Sequence, residues 1–239
     1  RELESARIFI ADGHHRYETA LEYRRRRRAA DGNPPGARSY DYAMMTLVAS
    51  DDPGLVILPT YRVARRLEQH AIASFDEHAQ AWFDIEECAN ADSMRASLAA
   101  AGRDAIAAAL GGDREKFRIL RLRDPGALAD AMPSAPDAVR RLAVSILHGL
   151  VLERIFGITP EQVKAGGVIG YTIDAREALS NVAPGSASGA FLLNAPAMSD
   201  IEAVSDAGAV MPEKSTYFYP KLLTGLVMNP LEDEASLGV

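Results

Sequence analysis

Residues 9–24 read FIADGHHRYETALEYR, and the fold turns on how that stretch divides. Residues 7–11 (RIFIA) form a short apolar run ending at Asp12-Gly13, which predicts a strand and then a turn. From His14 to about Ala30 the pattern predicts a helix, with Asp12 as a possible N-cap and Tyr17, Ala20 and Leu21 on its inner face. A plain strand-to-helix turn uses the Asp and the Gly. Two imidazoles and a guanidinium in addition mark a candidate site.

Working outward, DGNPPGARS (31–39) reads as a loop, and 43–50 and 54–63 as strands separated by the turn Asp51-Asp52-Pro53-Gly54. Beyond them the pattern predicts a helix over 67–82, a strand over 83–88, a helix over 92–101 and strands over 104–110 and 115–122. A Pro-rich linker precedes a helix carried by Val139, Leu142, Ala143, Ile146, Leu147 and Leu150, which Gly157 can terminate. The last third alternates: strand 167–172, helix 174–182, strand 188–194, helix 198–207, then strands near 215–219 and 222–228. Short strands separated by helices imply an α/β to α+β protein of mixed sheets with packed helices.

Of the 239 residues, 48% are apolar and 25% charged, a globular composition, and a net charge of −7 disfavours a nucleic-acid-binding surface. Cys88 is the only cysteine, which excludes an intrachain disulfide framework and any multi-cysteine metal site and fits a reducing cytoplasm. No apolar run approaches the roughly 20 residues that span a bilayer, so no membrane partner is expected. The chain starts at Arg1 rather than Met, so it reads as a fragment or processed product.

The chemistry concentrates in two stretches. In the first, Gly13 lets backbone amides approach a ligand, and a helix N-terminus favours anions. Arg16 offers a fork of donors to phosphate or carboxylate, His14 and His15 add donors, and Asp12 can orient a hydroxyl or a metal ion. The blander reading makes Asp12 a cap and the histidines a solvated first turn. Adjacent histidines leave a helix about 100° apart, a poor arrangement for one metal, so no protein metal site is expected. In the second stretch, MPEKSTYFYPKL (211–222), Lys214, Ser215 and Thr216 can contact phosphate. Lys221 follows on an expected strand that sends Tyr217 and Tyr219 to one face. The alternative is an amphipathic strand with solvated lysines. It is not a Walker loop, since the glycines are missing.

Other features read as structural. The run Arg24–Arg28 is expected to be a solvated helix face, His148 a packed helix histidine, and Asp174 a helix N-cap. His70 and His78 flank a helix without a carboxylate pair at metal spacing.

The blocks IADGHHRYETAL, DPGLVILPTYR, GYTIDAREAL, GAFLLNAP and MPEKSTYFYPKLLTGLV together resemble the bacterial and archaeal family catalogued as domain of unknown function 1015, in its order and over nearly the whole chain. The resemblance implies that the chain is the C-terminal part of such a protein. Asp12-Gly13-His14-His15-Arg16 is also similar to the signature of free-serine kinases, which share a fold with ParB nucleotidases and sulfiredoxin. That implies a ParB/sulfiredoxin-like part over 1–66 and an α+β region over 67–239. In those kinases the element contacts nucleotide phosphates and the reacting centre, with ATP or ADP and Mg²⁺, and an upstream glutamate is the base. Glu2 and Glu4 lie too close to the first strand to be its counterpart, and Cys88 is remote from the place of sulfiredoxin's cysteine.

The expected function is phosphotransfer to free serine or a similar small hydroxyl metabolite. Asp12, His14 and His15 would lie at the reacting centre, and Gly13, His14, Arg16, Lys214, Ser215, Thr216 and Lys221 would hold nucleotide phosphates. The alternatives are a non-catalytic nucleotide- or anion-binding regulatory protein and an interaction module. The two stretches are expected to converge on one cavity.

Overall fold

The computed structural model of the chain describes residues 3–111, 116–182, 186–223, 225–229 and 231. Glu2, residue 115 of the expected strand 115–122 and Thr224 of the expected strand 222–228 lie outside them.

Two units make up the chain. The first comprises Arg1–Val56 and Phe218–Val239, the second Ile57–Tyr217. In chain order the elements are helix α1 (His14–Ala30), a 3-10 turn (Ser39–Asp41), strands β1 (Val56–Leu58) and β2 (Tyr61–Ala64), helices α2 (Gln69–Ala73) and α3 (Phe75–Ala79), β3 (Phe83–Cys88), α4 (Ala91–Ala100), β4 (Ile106–Leu110) and β5 (Lys116–Leu122). Then come α5 (Ala127–Ala131), α6 (Asp137–Arg140), α7 (Ala143–Ile146), a π-helix (Leu147–Ile155), α8 (Pro160–Ala165), β6 (Ile169–Thr172), α9 (Ala175–Ser180), β7 (Gly189–Leu193), α10 (Met198–Asp206) and β8 (Tyr217–Tyr219).

The second unit is built on a six-stranded sheet in the order β3-β5-β4-β7-β2-β6. Every neighbouring pair runs antiparallel. Strand alternation divides the core between its two faces. Ile106, Ala108 and Leu110 of β4, with Phe191 and Leu193 of β7, pack against α3, α7, the π-helix and α10 through Phe75, Ile146, Leu147 and Val204. Ala107, Ala109, Ala190 and Leu192 face the other way, onto Met94 and Leu98 of α4 and Ala178 of α9. Small residues on β4 let the helices approach closely, and β4 is buried along its whole length. A mixed fold of sheets with packed helices results, with helices on both faces of the large sheet.

Cap chemistry sets several helix starts. Asn90 accepts from the Ser93 amide at α4, and Thr159 with Gln162 forms a capping box at α8. Asp174 caps α9, accepting from the amides of Arg176 and Glu177, as its sequence position implies.

Several elements differ from expectation. The apolar stretches 7–11 and 43–50 carry no ladder hydrogen bonds, because no strand among the described residues runs beside them. Residues 222, 223 and 225–228 are likewise not a strand. The expected helix over 67–82 is two short helices that meet at Ser74, and α2 turns at φ −93° and ψ 9° there. The long helix expected from Val139 breaks at Leu142, whose extended backbone (ψ 134°) separates α6 from α7, and then widens into the π-helix. Helix α1 has no inner face, since none of its residues is buried.

The arginine run is not a purely solvated face. Arg24 and Arg28 both bond the carboxylate of Asp41, and Arg28 also donates to the carbonyls of Pro34 and Gly36. Arg25 and Arg26 pair with Glu22, and their guanidiniums hold its carboxyl down to about 2. Among the described residues no helix is long and apolar enough to cross a membrane.

Candidate functional site

Helix α1 opens on Gly13, not Asp12. Gly13 is the N-cap, at φ 83° and ψ 27°, and the Tyr17 amide donates to its carbonyl at 3.0 Å. That left-handed backbone favours glycine. A Cβ there would lie 2.6 Å from Nη2 and 2.8 Å from Nε of Arg16, a flexible side chain that would have to swing aside. Arg16 therefore folds back over the turn. No side chain caps the helix, and its first turn holds no acidic residue. The leading amides thus stand open at the positive end of the helix dipole.

Asp12, relieved of a capping role, gathers cations. Its Oδ2 lies 3.5 Å from Nη2 of Arg16 and accepts from Nζ of Lys221 at 3.2 Å. All three side chains are substantially exposed. The His14 and His15 rings, on diverging Cβ bonds, tilt back against each other with centroids 4.0 Å apart, and Nδ1 of His15 meets Glu18 at 3.3 Å.

Asp12, Gly13, Arg16 and Lys221 are therefore brought together in the first unit, across 209 positions of sequence. Lys214, Ser215 and Thr216 belong to the second unit. There Lys214 takes a left-handed backbone (φ 54°), and the buried Ser215 hydroxyl donates to the Pro212 carbonyl at 2.6 Å. Ser215 lines a cavity of about 280 Å³ in that unit, together with Arg62, a fully buried residue that reads in sequence only as part of a strand.

A divalent cation at the turn would have Asp12 as its motif ligand, and Arg16 and Lys221 already occupy that carboxylate. Among the described residues no three His, Cys, Asp or Glu side chains gather as a metal set. These residues do not fit a protein-held metal.

An uncapped helix start therefore stands beside two cations gathered on one aspartate. The chain belongs to the family described as protein of unknown function, DUF1015, whose pattern matches residues 1–145. No curated protein matches it. Solved structures similar to it include free serine kinase in complex with AMP, at 12% identity and a TM-score of 0.41, covering 72% of this chain and 57% of that one. A conserved hypothetical protein from Pyrococcus furiosus is similar at 13% identity and a TM-score of 0.42, covering 72% and 60%. A mutant free serine kinase in complex with ADP gives 12% and 0.39, covering 72% and 57%. The chain thus spans between 57% and 60% of the length of these structures.

Proposed function

We propose that the Asp12–Arg16 turn, with Lys221, is the phosphate-holding part of a nucleotide-dependent phosphotransferase acting on free serine or a similar small hydroxyl metabolite. The observation that carries this reading is the pair of cations, Arg16 and Lys221, gathered on Asp12 beside an uncapped helix start. The amides of the first turn and the Arg16 fork would hold phosphate oxygens. An anion entering would compete with Asp12 for both cations and free that carboxylate to orient the acceptor hydroxyl. The imidazoles of His14 and His15 follow two and three residues after Asp12, within the same turn. Positioning and charge stabilisation supply most of phosphoryl-transfer catalysis, which suits this set. ATP or ADP is the donor that the similarity to free-serine kinases suggests, and Mg²⁺ would arrive with it.

A second reading is non-catalytic nucleotide binding. It is favoured by the first turn of α1 holding no acidic residue, while Glu18 is engaged by His15. Incubating the full-length protein with ATP or ADP and a panel of hydroxyl amino acids separates the two. Turnover supports the first, saturable binding without turnover the second, and neither result refutes both. In binding, Arg16→Ala is expected to lose about 1.5–3 kcal/mol, roughly ten- to a hundredfold in affinity. Unchanged nucleotide affinity in that variant removes Arg16 from the site.

A further inference from the structure

Arg62 is the most unusual side chain of the second unit. It stands on β2, on the same sheet face as Ala64, and is fully buried. Its Nη1 donates to the Thr60 carbonyl at 2.5 Å, Nη2 lies 3.4 Å from the Glu213 carbonyl, and the guanidinium sits 5.5 Å from the centre of the Tyr171 ring. Nε has no partner, and among the described residues no carboxylate pairs with this charge. Burial pulls its pKa down only to about 10, so it stays charged at neutral pH. His148, which feels the Arg62 charge, is held neutral by burial and secondarily by Arg62 itself, so it supplies no compensation.

A buried, uncompensated guanidinium is costly, and folded proteins retain one mainly where something pairs with it. Beside Arg62 lies the cavity of about 280 Å³, lined also by Thr60, Arg141, Asn194 and Ser215. Arg103 and Asp200 line it as an ion pair 2.9 Å apart, so they nearly cancel. Arg141 reaches the rim from α6, where Asp137 holds it at 2.7 Å. Asp104 remains as the opposing carboxylate on the wall. With Arg103 and Arg141 each held by a carboxylate, Arg62 is the guanidinium of the lining that no described carboxylate pairs.

We propose that this cavity is a binding site for a small oxyanion-bearing metabolite, its carboxylate or phosphate paired with Arg62 and its polar remainder held by Thr60, Asn194 and Ser215. The volume matches about nine water molecules at roughly 30 Å³ each, which suits a metabolite of amino-acid or small sugar-phosphate size. The site is independent of the Asp12 turn and stands whether or not that turn transfers phosphate.

Calorimetric titration of the full chain tests it, with inorganic phosphate in one arm and acetate, succinate and citrate in the other, against chloride at equal ionic strength. Each titration is repeated on Arg16→Ala, so that heat from the first unit is separable. Saturable binding in either arm that survives Arg16→Ala and weakens at least tenfold in Arg62→Met supports the site, and the arm that responds identifies the anion. If Arg62→Met fails to fold, the exposed Arg141→Ala serves instead, with weaker binding expected. Absence of saturable binding in both arms overturns the proposal. So does binding that the folded Arg62→Met or Arg141→Ala variant leaves unchanged.

Discussion

Gly13 is a residue whose identity is set by its left-handed backbone, with the guanidinium of Arg16 lying where a Cβ would project. Substituting alanine is expected to cost about 1 kcal/mol in backbone strain and to push Arg16 off the turn. Chemical denaturation of Gly13→Ala should thus show a small loss of stability, while titration shows weakened nucleotide binding. His148 makes a different prediction. Burial, and secondarily Arg62, lowers its pKa to about 4 from the ordinary 6.5, and its Nε2 has no partner. Between those values the unfolded chain binds the proton that the folded chain refuses, so stability rises with pH across this window. The contribution is complete above pH 6.5 and is lost as the pH falls towards 4, by up to about 3 kcal/mol. His148→Leu should flatten that part of the profile in denaturant titrations from pH 7.5 to 4.5. An unchanged slope would show that another group governs acid lability.

At the scale of elements, the loop after α1 is held by Arg28 on Asp41 and on two loop carbonyls. Arg28, with help from the Arg38 amide and Arg24, holds the Asp41 carboxyl well below the usual carboxylate range. The fastening is therefore complete above the ordinary carboxylate pKa and is lost as strongly acidic pH protonates Asp41. Arg28→Ala should speed proteolytic cleavage within residues 31–38 at neutral pH, and an unaltered digestion rate would count against the fastening. Helices such as α4, α9 and α10 were legible in the sequence because caps and periodicity are local. Strands β3, β4, β5 and β7 were legible because their apolar runs also have partners. The runs at 7–11 and 43–50 misled, since a ladder depends on what lies beside a segment and not on the segment alone. Arg62 was invisible for a related reason. In PTYRV a lone arginine reads only as part of a strand, and its surroundings, the Glu213 carbonyl, the Tyr171 ring and His148, come from distant parts of the sequence.

Across the whole molecule, apolar burial is uneven. In the first unit Ile8, Ile10, Met44, Met45, Leu47 and Val48 are each between 51% and 57% exposed, whereas β4 and β7 of the second are buried throughout. Amide hydrogen exchange should therefore find the slowest protons in β4, β5 and β7 and fast exchange across residues 43–49. Comparable protection in the two regions would contradict this division. The Asp12–Lys221 contact belongs to this scale too, because its partners stand 209 positions apart with the whole second unit threaded between them. Closing so long a tether through unfolded chain carries an entropic penalty that grows with the logarithm of its length. Folding of the second unit removes most of that tether's freedom. A core lesion such as Phe191→Ala, within the second unit, should thus dock Lys221 less often. In this way the Asp12 turn would inherit the thermal history of a sheet with which it shares no residue.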